Sequence, residues 1–107
     1  MHILIYRQKK KDVVDVCNYL LKLLTDFFGT NNVKLCCSMN SIRLFDNIVY
    51  IDFHCGDILK MRGYRPDYYN TDSFAVDRFI EQSCTKTSGK YLNKVDDIPS
   101  VILSYLF

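Results

Sequence analysis

Residues 13–28 place the strongest constraint on the fold, because they describe a helix with a narrow polar face. At about 100° per residue, the polar side chains of the segment fall together and apolar side chains cover the remainder. A helix with so wide an apolar face is expected to pack on a sheet and to contact a second neighbour. Asp12 is its predicted N-cap and Gly29 its predicted end. The residues of the polar face are Asp15, Asn18, Lys22, Thr25 and Asp26.

Short apolar runs around this helix predict strands. Residues 2–7 form a nearly continuous apolar run, which is typical of a buried strand. Residues 33–37 predict a second strand. Residues 42–45 and 48–53 flank Asp46-Asn47, and two strand-like runs joined by two turn-forming residues indicate a β-hairpin.

The second half of the chain is less regular. Residues 67–71 predict a short strand, and Asp72 or Ser73 caps a helix that extends to about Cys84. Residues 85–94 are polar and predict a loop. Asp97 then caps a final helix with Pro99 in its first turn, and a closing strand over residues 101–106 is the alternative.

This order of elements predicts a small α/β domain: a three-layer sandwich around a mixed sheet of about five strands, with a β-hairpin. A chain of 107 residues is long enough for one such domain, over residues 1–107. Apolar residues make up 49% and charged residues 24%, which excludes a disordered chain. No apolar run approaches the roughly 18 residues of a membrane helix, and the first residues lack the pattern of a secretion signal. A cytoplasmic protein without a membrane partner is the expectation.

The cationic side chains suggest where such a domain binds its partners. The net charge of +2 is too balanced to indicate a nucleic-acid binder by itself. Lys9, Lys10 and Lys11 form one cluster, and Arg62 and Arg65 flank a glycine in another. Tyr64 stands between the two arginines, and Tyr beside Arg is common in protein interfaces and on base-stacking surfaces. These six residues are the candidate binding residues, although loop arginines also serve structurally by pairing with nearby carboxylates.

The cysteines favour a reducing compartment. Five cysteines occur without a CxxC pair, so a disulfide framework is not indicated and we interpret all five as reduced thiols. A zinc site of Cys36 or Cys37 with His54 and Cys55 is an alternative, but the spacing matches no established ligand pattern. Small apolar filler is the expected role of these thiols.

Asp52 and His54 are weak candidates for a metal site. They lie two apart in a predicted strand and therefore share one face of it. A third ligand has to come from elsewhere, and Asp72 or Asp67 is the available carboxylate. No metal is expected, because a nuclease-like cluster also needs a positioned Lys or Glu.

Residues 57–73 carry a resemblance to a known family. Met61-Arg62-Gly63-Tyr64-Arg65-Pro66-Asp67, followed by Asp72, resembles the segment that leads into and through the Walker B strand of phage large-terminase-type ATPases. The helix, strand and hairpin upstream fit the order of that family over about residues 1–75. The resemblance implies a P-loop-like core and a phage or other mobile element as the setting.

Two departures concern the hydrolytic residues of that family. Its phosphate-binding loop needs glycines, whereas residues 7–12 contain none. Asp72 matches the aspartate on the magnesium side, but Ser73 stands where the family has its water-activating Glu. Serine is no carboxylate base at neutral pH, so the resemblance implies a degenerate core without ATP hydrolysis or a bound cofactor.

The expected function is therefore binding without catalysis. A small phage or mobile-element protein that binds a protein partner, such as an inhibitor of a host defence enzyme, is the first hypothesis. A nucleic-acid-binding protein is the second, and a metal-dependent nuclease or residual nucleotidase is the third. The host cytoplasm is the expected compartment, and either a monomer or a homodimer is compatible with the sequence.

Overall fold

A mixed β-sheet with two helices forms the described part of the protein. The computed structural model describes residues 1–36, 40–57, 66–73, 78 and 90–107. The strands and helices are β1 (His2–Arg7), α1 (Lys10–Phe28), β2 (Val33–Cys36), β3 (Ser41–Leu44), β4 (Val49–Cys55), β5 (Tyr68–Thr71), β6 (Lys90–Tyr91) and α2 (Ile98–Leu106). Short 3₁₀ turns at Thr30–Asn32 and Val95–Asp97 precede β2 and α2.

The strand order is β2-β3-β4-β1-β5-β6. Strands β4, β1, β5 and β6 run parallel, whereas β2, β3 and β4 form an antiparallel meander. The predicted α/β class, mixed sheet and hairpin are thereby confirmed. The helix predicted over residues 72–84, which would supply the third layer, lies almost wholly outside the described residues.

The sheet has six strands where about five were predicted, because β6 comes from the segment predicted as a loop. Lys90 and Tyr91 pair in parallel with Tyr68 and Tyr69 of β5. A strand of two residues is too short to show an alternation of apolar and polar side chains, so no pattern in the sequence indicates it. The segment after Asp97 is helix α2, and the alternative of a closing strand is wrong.

Strand β1 is the centre of the sheet. It pairs with β4 on one side and β5 on the other, and Ile3, Leu4 and Ile5 are completely buried. Parallel strands buried on both faces are continuously apolar rather than alternating. The apolar run at residues 2–7 follows from this position.

Both described helices pack on the same face of the sheet. Ile3 and Ile5 point to that face, where they meet Leu20 and Leu24 of α1. Leu4 and Tyr6 point to the opposite face and are buried there. The core on the helix side contains Ile3, Ile5, Leu20, Leu24, Val33, Ile42, Leu44, Val49, Ile51, Phe53, Leu92, Ile98 and Ile102.

Helix α1 begins earlier than predicted. Lys9 is its N-cap, with an extended backbone, and its carbonyl accepts the amide hydrogens of Asp12 and Val13 at 3.1 and 3.2 Å. Asp12 instead lies in the first turn, where a carboxylate is favourable beside the positive end of the helix dipole. Gly29 ends the helix as predicted, since its φ of 91° favours glycine and its amide donates to Thr25 O at 2.9 Å.

The β3–β4 hairpin turns at Asp46 and Asn47, as predicted. Their φ angles of 55° and 72° are left-handed, and the amide of Ile48 donates to Phe45 O at 3.2 Å. Asp and Asn tolerate this region better than most other side chains. Phe45 before them is also left-handed, with a φ of 54°, so the connection from Leu44 to Val49 is longer than the two residues predicted.

Truncation of Leu24 tests the core on the helix side. Leu24→Ala is expected to lower the free energy of unfolding by about 2–5 kcal/mol, because the side chain is fully buried and its removal leaves a cavity. Ile48→Ala is the control, since Ile48 is half exposed, and it should change stability by less than about 1 kcal/mol. Equal effects in denaturant-induced unfolding would contradict this core.

Candidate binding surfaces

The carboxyl ends of the parallel strands β1, β4 and β5 lie side by side at one end of the sheet, which is called the carboxyl end below. From β1 the chain passes through α1 to the β2–β4 side, whereas β5 lies on the other side of β1. This reversal is the topological switch point, where open α/β sheets commonly bind ligands outside the strand ends. This carboxyl end of the sheet is therefore a candidate binding site.

Basic side chains lie at the carboxyl end of the sheet, where α1 begins. Lys9, Lys10 and Lys11 are exposed, and Arg7 is half-buried beside them. The guanidinium of Arg7 donates to Tyr6 O at 2.8 Å and to Asn70 O at 3.5 Å. Burial lowers the pKa of Arg7 below its ordinary value, and the nearby carboxylate of Asp72 opposes that shift. The predicted lysine cluster is thus a solvent-facing basic surface.

Asp72 fastens β5 to the turn between β1 and α1. Its Oδ1 accepts the amide hydrogen of Gln8 at 3.1 Å, and Gln8 Nε2 donates to its carbonyl at 3.4 Å. Only Gln8 and Lys9 connect β1 to α1. The backbone donor that a phosphate loop would direct at a phosphate is taken by the chain's own carboxylate. These residues do not fit a nucleotide phosphate.

Asp52 and His54 lie on one face of β4, as predicted. Asp52, however, contacts His2 of β1. Its Oδ2 lies 2.7 Å from Nε2 of His2, whose ring stacks on Tyr50 with 4.6 Å between the centroids. Asp72, a candidate third ligand, instead accepts a hydrogen bond from the amide of Gln8. In the part of the chain that the structure describes, no three His, Cys, Asp or Glu residues could hold a metal ion together.

Several predicted site residues fall on segments that the structure does not describe. Arg62, Tyr64 and Arg65 lie outside the described residues, and so do Cys37 and Cys84. Among the described residues, Cys17, Cys36 and Cys55 are half-buried and form no disulfide bond.

An open apolar groove of about 240 Å³ lies between α1 and the side of the sheet that ends in strand β2. Two of the residues that line the groove are partly exposed: Val14 of α1 is 47% exposed and Leu35 of β2 is 41% exposed. Phe53 of β4 also lines the groove. The groove was not predicted from the sequence. The available signal was the width of the apolar face of residues 13–28, which exceeds what the sheet covers. The lining residues are Val13, Val14, Cys17, Asn18, Leu35, Asn40 and Phe53.

Comparisons with known proteins leave this geometry as the basis for function. The chain matches no family model, and no curated protein or solved structure is significantly similar to it. Within the described residues, no helix has both the length and the apolar character needed to cross a bilayer.

Tyr6 connects β1 to the residue that follows β4, at the carboxyl end of the sheet. Its hydroxyl donates to the carbonyl of Gly56, and its side chain is buried. Burial raises the pKa of Tyr6 above the ordinary 10.0, and the negative charges of Asp72 and Cys55 raise it further. The neutral phenol is therefore the form that the fold stabilises.

This pKa shift predicts a pH-dependent contribution of Tyr6 to stability. A raised folded-state pKa means that the contribution is complete below about pH 10 and is lost as the pH rises through the folded value. Tyr6→Phe should be less stable than the parent by about 1 kcal/mol at neutral pH, and the gap should narrow in alkali. Tyr105→Phe, at an exposed tyrosine, is the control. A gap that stays constant in unfolding curves at rising pH would be the opposing result.

Proposed function

We propose that this chain is a non-catalytic binding protein whose partner is another protein. The observation that supports the proposal is the groove between α1 and β2. Exposed apolar side chains that line a groove at a sheet edge commonly mark protein contacts. The partner segment would be extended, with apolar side chains for the groove and acidic side chains at one end.

The edge position of β2 favours an extended partner. Among the described strands, β2 is paired only with β3, so its outer side presents backbone donors and acceptors. A peptide that adds as a strand gains main-chain hydrogen bonds there. Its alternate side chains would then face Leu35 and Val14, which gives the groove a role in specificity.

The charge beside the groove favours an acidic partner. Lys10 lies one helical turn before Val13 and Val14, and Lys11 lies one turn before Val14. Both lysines are exposed. A carboxylate of a bound segment would meet these lysines at the end of the groove, so the predicted basic cluster and the apolar groove form one surface.

The biological setting is part of the proposal. The resemblance of residues 57–73 to phage terminase-type proteins favours a phage or mobile element, and hence the host cytoplasm. In that setting the partner would be a host protein, such as a defence enzyme that the chain inhibits.

A selection from a library of random peptides tests the proposed specificity without a known partner. The enriched peptides should combine alternating apolar residues with Asp or Glu. Amide NMR shifts on binding should be largest in β2 and in the first half of α1. Enriched peptides without apolar residues, or shifts confined to other elements, would refute the groove.

Val14→Asp tests the groove directly. A buried carboxylate in the apolar contact should weaken binding of a selected peptide at least tenfold, roughly 1.4 kcal/mol. Ile48→Asp introduces the same charge at a side chain that is 51% exposed, compared with 47% for Val14, and lies outside the groove lining. It should bind like the parent. Equal losses in both variants by calorimetry would argue against this site.

The exposed lysines at the start of α1 support nucleic-acid binding as a second candidate. This alternative predicts that affinity for duplex DNA falls steeply with salt and that Lys9→Gln, Lys10→Gln and Lys11→Gln together flatten the slope. Fluorescence anisotropy at several salt concentrations measures both effects. An absence of DNA binding at low salt, or a slope that the triple substitution leaves unchanged, would remove this candidate.

A further inference from the structure

A second concave surface lies on the opposite face of β2 from the apolar groove. It is a cavity of about 300 Å³ formed by the 3₁₀ turn before β2, the strands β2 and β3, and the hairpin turn. Most of the residues that line it are polar or charged, and they include Lys34, Arg43, Asn31 and Asn47. A pocket of this size is at the lower end of the range for small-molecule sites.

The strand register places two cations side by side in this pocket. Lys34 of β2 is directly opposite Arg43 of β3 in the antiparallel ladder. Residues directly opposite in such a ladder project from the same face, and like charges in this position destabilise the pair. Asp46 is the one carboxylate among the residues that line the pocket, whereas Lys34 and Arg43 are both cations. The lining therefore has an excess of positive charge.

Packing positions the guanidinium of Arg43 before any ligand arrives. Its Nε lies 3.4 Å from Ser41 Oγ, and its Cζ lies 5.3 Å from the centre of the Tyr50 ring. The ring of Tyr50 and the hydroxyl of Ser41 hold this long side chain over its face of the sheet. A held guanidinium binds oxyanions through a fork of donors, and a neighbouring ammonium adds a point charge.

We propose that this pocket binds a small molecule through an oxyanion group, a phosphate or a carboxylate. Lys34 and Arg43 bind the anion together, and the amide side chains of Asn31 and Asn47 contact the remainder of the ligand. The unfavourable pairing of the two cations in the free protein is relieved when the anion is bound. The site is separate from the groove that carries the proposed function, because its side chains project from the other face of the sheet.

Substitution of Lys34 separates a binding role from a structural one, because the two roles predict opposite effects on stability. Without the anion, Lys34→Gln removes the repulsion with Arg43 and should raise the unfolding midpoint by roughly 2 °C. Lys34→Glu places opposite charges across the ladder and should raise it further. A lysine kept for stability would instead give a lower midpoint in both variants.

Titration with inorganic phosphate at constant ionic strength, followed by amide NMR, measures the binding itself. We expect saturable shifts in β2, β3 and the hairpin turn of the parent, and an affinity at least roughly tenfold weaker in Lys34→Gln. Lys94→Gln is the control, since Lys94 is exposed and lies outside the pocket, and it should bind like the parent. Acetate in place of phosphate distinguishes a carboxylate ligand from a phosphate ligand. Phosphate can also stabilise proteins without a site, so equal responses in all variants, or no saturable shifts in the parent, would overturn the proposal.

Discussion

The pairing of β1 on both sides is the interaction on which the remainder of the structure depends. Strands β4 and β5 both lie far from β1 in the sequence, and each pairs in register with this central strand. The helices then cover the face that carries Ile3 and Ile5. Because β1 leads directly into α1, the same strand also decides where the lysines of the first helical turn are presented.

The aspartates around β5 show how the chain secures this pairing. Asp67 exchanges two hydrogen bonds with the backbone of His2, from its amide at 2.8 Å and to its carboxylate at 2.9 Å. Asp72 holds the turn after β1 at the other end of the strand through Gln8. Residues that a motif comparison would assign to nucleotide chemistry are here engaged in joining β5 to β1. A carboxylate with a structural partner is a weaker indication of chemistry than its sequence position suggests.

Features with a local cause could be predicted from the sequence, whereas features with a nonlocal cause could not. The period of residues 13–28 and the Asp46-Asn47 turn are local, and α1 and the hairpin were predicted accordingly. The N-cap at Lys9 depends on where β1 ends against its neighbours, and β6 exists only because β5 accepts it. The candidate surfaces are nonlocal in the same way. The groove requires α1 and β2 together, although the excess apolar width of the helix was visible in the sequence.

The pairing of Lys34 with Arg43 is the clearest case of a feature that only the register reveals. A slip of one residue in β2 would turn Lys34 to the other face and bring Leu35 opposite Arg43. The observed register keeps Leu35 on the helix side, where it borders the groove, and thereby forces the two cations together. The apolar preference that fixes the strand thus produces the cationic pocket behind it. Val14 belongs to α1, whereas Lys34 projects from the opposite face of the sheet. Substitutions at these two positions therefore act on separate contacts, and their effects on the free energy of unfolding should add.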